Sequence, residues 1–177
     1  NMGNKNSIDS ATLVNKCLEI IEAHYLFNIE YKKLKIIIHP ESLVHSIFEF
    51  DDLTSSLNYF YHDMFIPLFN FLNITNSKKV VNFSNRNYKF NLNSKLSFFK
   101  PSKNKFPILK LFEKMNKNQH HNIINFNAGN ELAVDLFSKG KIKFGDINKI
   151  IEKSLSLDLK IELNNIENII MYQNELI

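Results

Sequence analysis

The chain has 177 residues, of which 44% are apolar, 12% aromatic and 23% charged, and 22 Lys+Arg against 18 Asp+Glu give a formal net charge of +4. That length can bury the core of one domain or of two small ones. The four glycines form neither a G-x-G-x-x-G nor a Walker phosphate loop, and a lone cysteine, Cys17, excludes an internal disulfide and a Cys-based zinc site.

In chain order, Asp9 or Ser10 can cap a helix over residues 11–27, with Leu13, Val14, Cys17, Leu18, Ile21 and Leu26 apolar and Asn28 as its stop. Residues 34–38 are an apolar, β-branched run ending at His39-Pro40, which reads as a buried strand. Residues 44–50 and 55–60 alternate as two antiparallel strands around Asp51-Asp52, and a helix over 63–72 opens with Asp63 at its positive end. Residues 73–105, rich in Asn, Ser and Lys, read as a loosely structured connection. Helices are expected at 106–117, at 121–139 with Gly140 as the stop, at 146–157 with Asp146 as the cap, and at 166–176.

The fold class expected is therefore α+β: a helix and a small mixed or antiparallel sheet, followed by a C-terminal helical bundle. The corresponding domains are an incomplete catalytic α/β part at 1–72, a basic Asn/Lys-rich linker at 73–105 and a C-terminal α-helical domain at 106–177.

Asn, Lys and Ile number 26, 21 and 22, against one Arg. All three share A/T-rich codons, so their surplus reads first as base composition. Between Met64 and Phe112 there are nine cations and no acid. Such a basic, aromatic-interleaved run can bind RNA, although no RRM, KH or OB signature accompanies it. The longest mostly apolar stretch, 64–74, is shorter than the about 20 residues that a bilayer requires, and the polar residues 1–10 do not read as a signal peptide.

Chemistry concentrates at the start of the chain. On a helix beginning near Ser10, Asn15 and Glu19 lie four apart and Lys16 and Glu19 three apart, which puts an amide, an ammonium and a carboxylate on one face. Ser10 adds a hydroxyl where helix N–H groups favour an anion, so a phosphate near Ser10 and a divalent metal on Glu19 make a coherent site. A capped helix with a solvated Lys16–Glu19 pair explains the same spacing. Cys17 reads as a small buried hydrophobe, His39 and His45 as structural histidines, and His120-His121 as solvated. Asn130 and Glu131 read as supports of a site wall.

Met2-Gly3-Asn4-Lys5, Asp9-Ser10-Ala11-Thr12, Asn15-Lys16, Glu19 and Glu22-Ala23 together resemble the 1-deoxy-D-xylulose-5-phosphate reductoisomerase family. The resemblance continues, in family order, through Ile38-His39-Pro40-Glu41-Ser42, Val44-His45-Ser46, Asp63-Met64, Pro67, Asn127-Ala128-Gly129-Asn130-Glu131, Gly140 and Asp146. It implies NADPH- and divalent-metal-dependent (Mg²⁺, Mn²⁺ or Co²⁺) conversion of 1-deoxy-D-xylulose 5-phosphate to 2-C-methyl-D-erythritol 4-phosphate, in non-mevalonate isoprenoid synthesis.

Matched by position, Ser10, Asn15, Lys16 and Glu19 would bind substrate, with Lys16 and Glu19 catalytic and Glu19 also a metal ligand. Gly3 and Met2 would lie against the cofactor. The resemblance further implies a phosphorylated-sugar substrate, a homodimer for the intact enzyme, and neither a nucleic acid nor a membrane as partner. A/T-rich composition combined with this pathway suggests a plastid-type organelle (apicoplast).

The family's N-terminal dinucleotide-binding domain, its other acidic metal ligands and its lid would precede the first block. A chain without them is expected to be inactive alone. A non-catalytic degenerate homologue and a basic RNA-binding module are the alternative readings. Departures from the family pattern fall at Asn6, Cys17 (usually glycine), Leu53 (a turn glycine), Phe60, His62 and Phe65.

Overall fold

The computed structural model describes residues 3–61, 63, 65–74 and 95–176. It divides into two compact units, one formed by Asn1–Ile36 with Pro101–Ile177 and the other by Ile37–Lys100. Compactness thus groups the opening helices with the C-terminal ones, a different partition from the sequential one expected at 72 and 105.

In the first unit, α1 (Asn4–Thr12) and α2 (Val14–Phe27) replace the single helix expected over 11–27. Leu13 separates them with a φ of +66°, and its N–H donates to the Ser10 carbonyl at 3.3 Å. Neither Asp9 nor Ser10 is therefore an N-cap, because both already lie within α1. Asn28, at φ +52°, ends α2 as expected of a residue that tolerates the left-handed region. A 3-10 turn follows at Tyr31–Lys33.

The C-terminal part supplies α4 (Ile108–Lys114), α5 (His120–Ser138), α6 (Ile147–Ser154) and α7 (Ile166–Leu176). Here α4 is shorter than expected, since Met115 turns to an extended conformation. At the end of α5, Gly140 takes φ +68°, its N–H reaching the Phe137 carbonyl while the Lys141 N–H reaches that of Leu136. This paired closure satisfies two orphan carbonyls and explains the glycine there. Asp146 closes a 3-10 turn by accepting the Lys143 N–H at 3.2 Å, with Lys149 on its other oxygen at 2.8 Å; it makes no side-chain cap bond to α6.

The core joins α2 (Val14, Cys17, Ile21) to α4 (Ile108, Leu109, Phe112), α5 (Phe126, Ala133) and α6 (Ile147, Ile151). The Asn127–Glu131 block on α5 divides its work. Gly129 lets α6 approach closely, Asn130 reaches α1, and Asn127 and Gln173 of α7 both donate to the Glu131 carboxylate. Tyr172 of α7 is fully buried with the His121 ring edge-on at 5.2 Å, yet its hydroxyl has no partner among the described residues. Such a group bears a desolvation cost without return. A Tyr172→Phe chain is therefore expected to gain about 1 kcal/mol, raising the thermal midpoint by about 2–4 °C in a circular-dichroism melt.

In the second unit, β1 (Val44–Glu49) and β2 (Ser55–Tyr59) form the expected antiparallel hairpin, with Ile47 opposite Leu57 and a bulge between Val44 and Ser46. Asp52 fixes the turn by accepting the Thr54 N–H and hydroxyl at 2.9 and 2.6 Å. Leu53 there has φ +67° and is 96% exposed, so the turn keeps a glycine-type conformation at a cost of about 1–2 kcal/mol.

The strand expected over 34–38 is absent as such. Only Ile38 pairs, exchanging two backbone bonds of 2.8 and 2.9 Å with Phe99, and Pro40 can donate to no ladder beyond it. α3 (Phe65–Ile74) begins with Asp63 accepting the Phe65 N–H, as expected, and runs two residues past the expected end at 72. The rest of the expected linker from 75 to 94 lies outside the described residues.

Candidate functional site

Ser10, Asn15, Lys16 and Glu19 all belong to the first unit, on α1 and α2. Three of them meet. The Asn15 Nδ2 donates to Glu19 Oε1 at 2.6 Å, and the Lys16 ammonium spans both carboxylate oxygens at 2.9 and 2.8 Å. One turn of α2 is enough to make this cluster, because positions three and four apart share a face. Lys16 and Glu19 are exposed and Asn15 is partly so.

An exposed ion pair of this kind is worth about 0–1 kcal/mol, so an incoming anion can take the ammonium, and a cation the carboxylate, at little expense. On the opposite side of α2, Cys17 is fully buried, and burial pushes its thiol up to about 12 despite the nearby Lys117. It is a core residue, not a nucleophile.

Ser10 is exposed in the last turn of α1. The break that follows is built by Thr12, whose hydroxyl donates to the Ile8 and Asp9 carbonyls and accepts the Val14 N–H at 3.4 Å. The first-turn N–H groups of α2 lack intrahelical acceptors by construction. Leu13 holds a left-handed conformation that costs about 1–2 kcal/mol for a residue with a β-carbon. Strain of this sort persists only where its surroundings over-determine it.

That over-determination comes from residues whose part the sequence does not disclose. Asp9 is 1% exposed, accepting the Lys5 ammonium at 2.8 Å on one oxygen and the Asn130 Nδ2 at 2.9 Å on the other. Lys5 four residues before Asp9 is a signal that could have marked the carboxylate as paired. Nothing in the spacing points to Asn130.

Gly3 is exposed, and a β-carbon there would meet nothing within 4 Å; its carbonyl accepts the Ser7 N–H and hydroxyl. Met2 lies outside the described residues, as do His62 and Met64. Phe60 stacks on His45 with ring centres 3.6 Å apart.

His39 is structural: its Nδ1 faces the Ser97 carbonyl at 2.9 Å and Glu41 at 3.0 Å, and its ring stacks on Phe98. A hydrogen bond from the Ser97 side chain, with the Ser97 N–H at 3.2 Å and His39 adding less, holds the Glu41 carboxyl below its ordinary range. His121 is not solvated as expected but bonds the Ile161 carbonyl at 3.0 Å. Among the described residues no three His, Cys, Asp or Glu side chains group to hold a metal, and no helix is long and apolar enough to cross a membrane.

Two family models match the chain: "DXP reductoisomerase C-terminal domain" over residues 61–176 and "1-deoxy-D-xylulose 5-phosphate reductoisomerase C-terminal domain" over residues 1–27. A 1-deoxy-D-xylulose 5-phosphate reductoisomerase of Clostridium botulinum (strain Hall) is 39% identical over 99% of this chain and 45% of its own length. That of Sulfurihydrogenibium sp. (strain YO3AOP1) is 41% identical over 95% of this chain and 43% of its own.

Among solved structures, the reductoisomerase from Zymomonas mobilis in complex with NADPH superposes with a TM-score of 0.82 at 34% identity, over 97% of this chain and 45% of that one. A DOX-P reductoisomerase with fosmidomycin and magnesium gives 0.85 at 30%, over 99% and 45%. The chain spans about half the length of the curated relatives it matches. The organisms named are bacteria, which lends the organelle expectation no support.

Proposed function

Since this chain belongs to the 1-deoxy-D-xylulose 5-phosphate reductoisomerase family, matching its C-terminal domain, we propose that it carries the substrate-gripping helix of an enzyme that converts 1-deoxy-D-xylulose 5-phosphate to 2-C-methyl-D-erythritol 4-phosphate. The observation that carries the reading is the exposed Asn15–Lys16–Glu19 cluster, one helical break away from Ser10. Lys16 and the Ser10 hydroxyl bind the sugar's phosphate and hydroxyl oxygens, the ammonium supplying charge and the hydroxyl a donor. Asn15 orients Glu19 and donates to a substrate oxygen. Glu19 would contribute one oxygen ligand to a divalent cation, and the family resemblance assigns Gly3 and Met2 to the nicotinamide.

The donor chemistry of Glu19 suits a hard cation. One carboxylate is a single ligand, however, and the described residues offer no cluster to complete the shell. When bound, the metal supplies Lewis acidity at substrate oxygens and the nicotinamide a hydride. This chain's own part is to bind and orient. Before substrate arrives, Lys16 and Glu19 neutralise each other; on binding, each exchanges that partner for a substrate oxygen or the cation. The family resemblance extends the proposal to a homodimer for the intact protein.

The test is a titration of the 177-residue chain followed by amide NMR. Inorganic phosphate is expected to shift Ser10, Asn15 and Lys16, and Mn²⁺ to broaden signals around Glu19, with Glu19→Gln weakening the Mn²⁺ effect at least about tenfold. Substrate, Mg²⁺ and NADPH together are expected to give no NADPH consumption by this chain alone. Phosphate shifts scattered away from α1 and α2, or undiminished Mn²⁺ broadening in the variant, would sink the assignment.

A further inference from the structure

We infer that Asn130 is a positioning residue for Ser10, acting through the buried carboxylate of Asp9; this rests on the reading of Ser10 and Lys16 as the phosphate seat. Asp9 and Asn130 are 121 positions apart and 1% and 0% exposed, and their side chains join α1 to α5. Burying a carboxylate is expensive, and a well-packed apolar pair in its place is often as stable or more so. Asn130 carries a further cost, since its Oδ1 has no partner among the described residues. Stability alone is a weak reason to retain such a pair; fixing a register is a better one.

The register at stake is that of the last turn of α1. Asp9 immediately precedes Ser10, and its carbonyl accepts the Thr12 hydroxyl that also receives the Val14 N–H opening α2. Asn130 therefore grips the turn from the core side while Thr12 and the left-handed Leu13 set the angle into α2. Lys5 completes the carboxylate from the solvent side, being 45% exposed itself. Released from Asn130, the α1 turn is free to slide, which alters the distance from the Ser10 hydroxyl to the Lys16 ammonium. Asn130 touches neither ligand atom in this scheme. Its effect is on placement.

Two variants of the full chain test this, with inorganic phosphate as probe. Asn130→Leu keeps the branched skeleton of the side chain, with bulkier methyl groups, and removes the donor. Asp9→Asn combined with Asn130→Asp reverses the pair and keeps one amide-to-carboxylate bond. Asn130→Leu is expected to raise the phosphate Kd about tenfold, as outer-shell partners of bound groups do, and to move the Leu13 ¹³C shifts away from left-handed values. The reversed pair is expected to restore both, whatever its melting temperature.

A merely structural tie lowers the melting temperature of Asn130→Leu and leaves Kd and the Leu13 shifts unchanged, which overturns the inference. If Asn130→Leu does not fold, a folded reversed pair lacking the wild-type Kd overturns it. A wild-type chain without phosphate response removes the seat and not the positioning, which the Leu13 shifts then decide on their own.

Discussion

Gly129→Ala is expected to destabilise the chain by about 2 kcal/mol, a fall of about 4–8 °C in the thermal midpoint. In a helix interior alanine is ordinarily the better residue, by about 1 kcal/mol, but the neighbours of Gly129 reverse that sign. A β-carbon at 129 would lie 2.0 Å from Ser154 Oγ, 2.8 Å from Ser154 Cβ and 3.2 Å from the Ile151 Cα. The hydroxyl could rotate away from the first contact, though it would surrender bonds of 2.9 and 2.8 Å to the Asn125 and Ile151 carbonyls. No rotation moves a Cβ or a backbone Cα. α6 must retreat, and overpacking of this severity costs about 3 kcal/mol, which outweighs the propensity gain.

A double-mutant cycle with Ser154→Gly isolates the clash, because that change removes the two nearest atoms. The expected coupling is about 1–2 kcal/mol in favour of the double variant. Additive losses would show that the α5–α6 approach does not depend on the missing side chain. The consequence reaches the candidate site, since Asn130 follows Gly129 and its reach to Asp9 depends on how deeply α5 sits.

What could be read beforehand divides by the range of the interaction. The hairpin was legible because alternation and a turn-forming Asp pair are local; the register Ile47–Leu57 and the bulge beside Val44 come from the structure. The cluster of Asn15, Lys16 and Glu19 was legible for the same reason: it needs one turn of helix and nothing else.

Leu13 carries no such signal. Leucine favours helix, and its positive φ goes with the Leu13 N–H bond to Ser10, the Thr12 bonds and the tie from Asp9 on α1 to Asn130 on α5, so a continuous helix is the natural expectation. Asp9 looked like a cap because Asp before an apolar run usually is one. Its burial depends on Asn130, which no local pattern connects to it. The 34–38 run misled in the other direction, since apolar β-branched composition suits a strand, but a strand exists only where a partner does, and Phe99 pairs with Ile38 alone.

Cys17→Gly, which installs the residue the family pattern expects, is expected to cost about 2 kcal/mol and not to improve the chain. Cys17 is fully buried in the core with Val14, Ile21, Ile108 and Phe112. Removing its side chain leaves a void that the helices close only in part, and glycine adds a few tenths of a kcal/mol of backbone entropy in mid-helix. Lys117, near enough to act on the thiol electrostatically, lies with its ammonium 4.6 Å from the Phe112 ring centre, donates to the Met115 carbonyl at 3.3 Å, and is itself pushed down by burial.

The same geometry fixes the pH behaviour of Cys17. With its thiol raised to about 12 by desolvation, the folded state keeps the neutral form through pH 9, and alkylation at pH 8 is expected to track global unfolding. Fast alkylation of the folded chain would contradict the packing assigned to α2. Lys16 and Glu19 flank this position on the solvent side, so a Cys17→Gly chain is expected to bind phosphate more weakly in proportion to the added mobility of α2. Its circular-dichroism melt and its phosphate titration should therefore move together, whereas Glu19→Gln should change cation binding with the melt nearly unmoved.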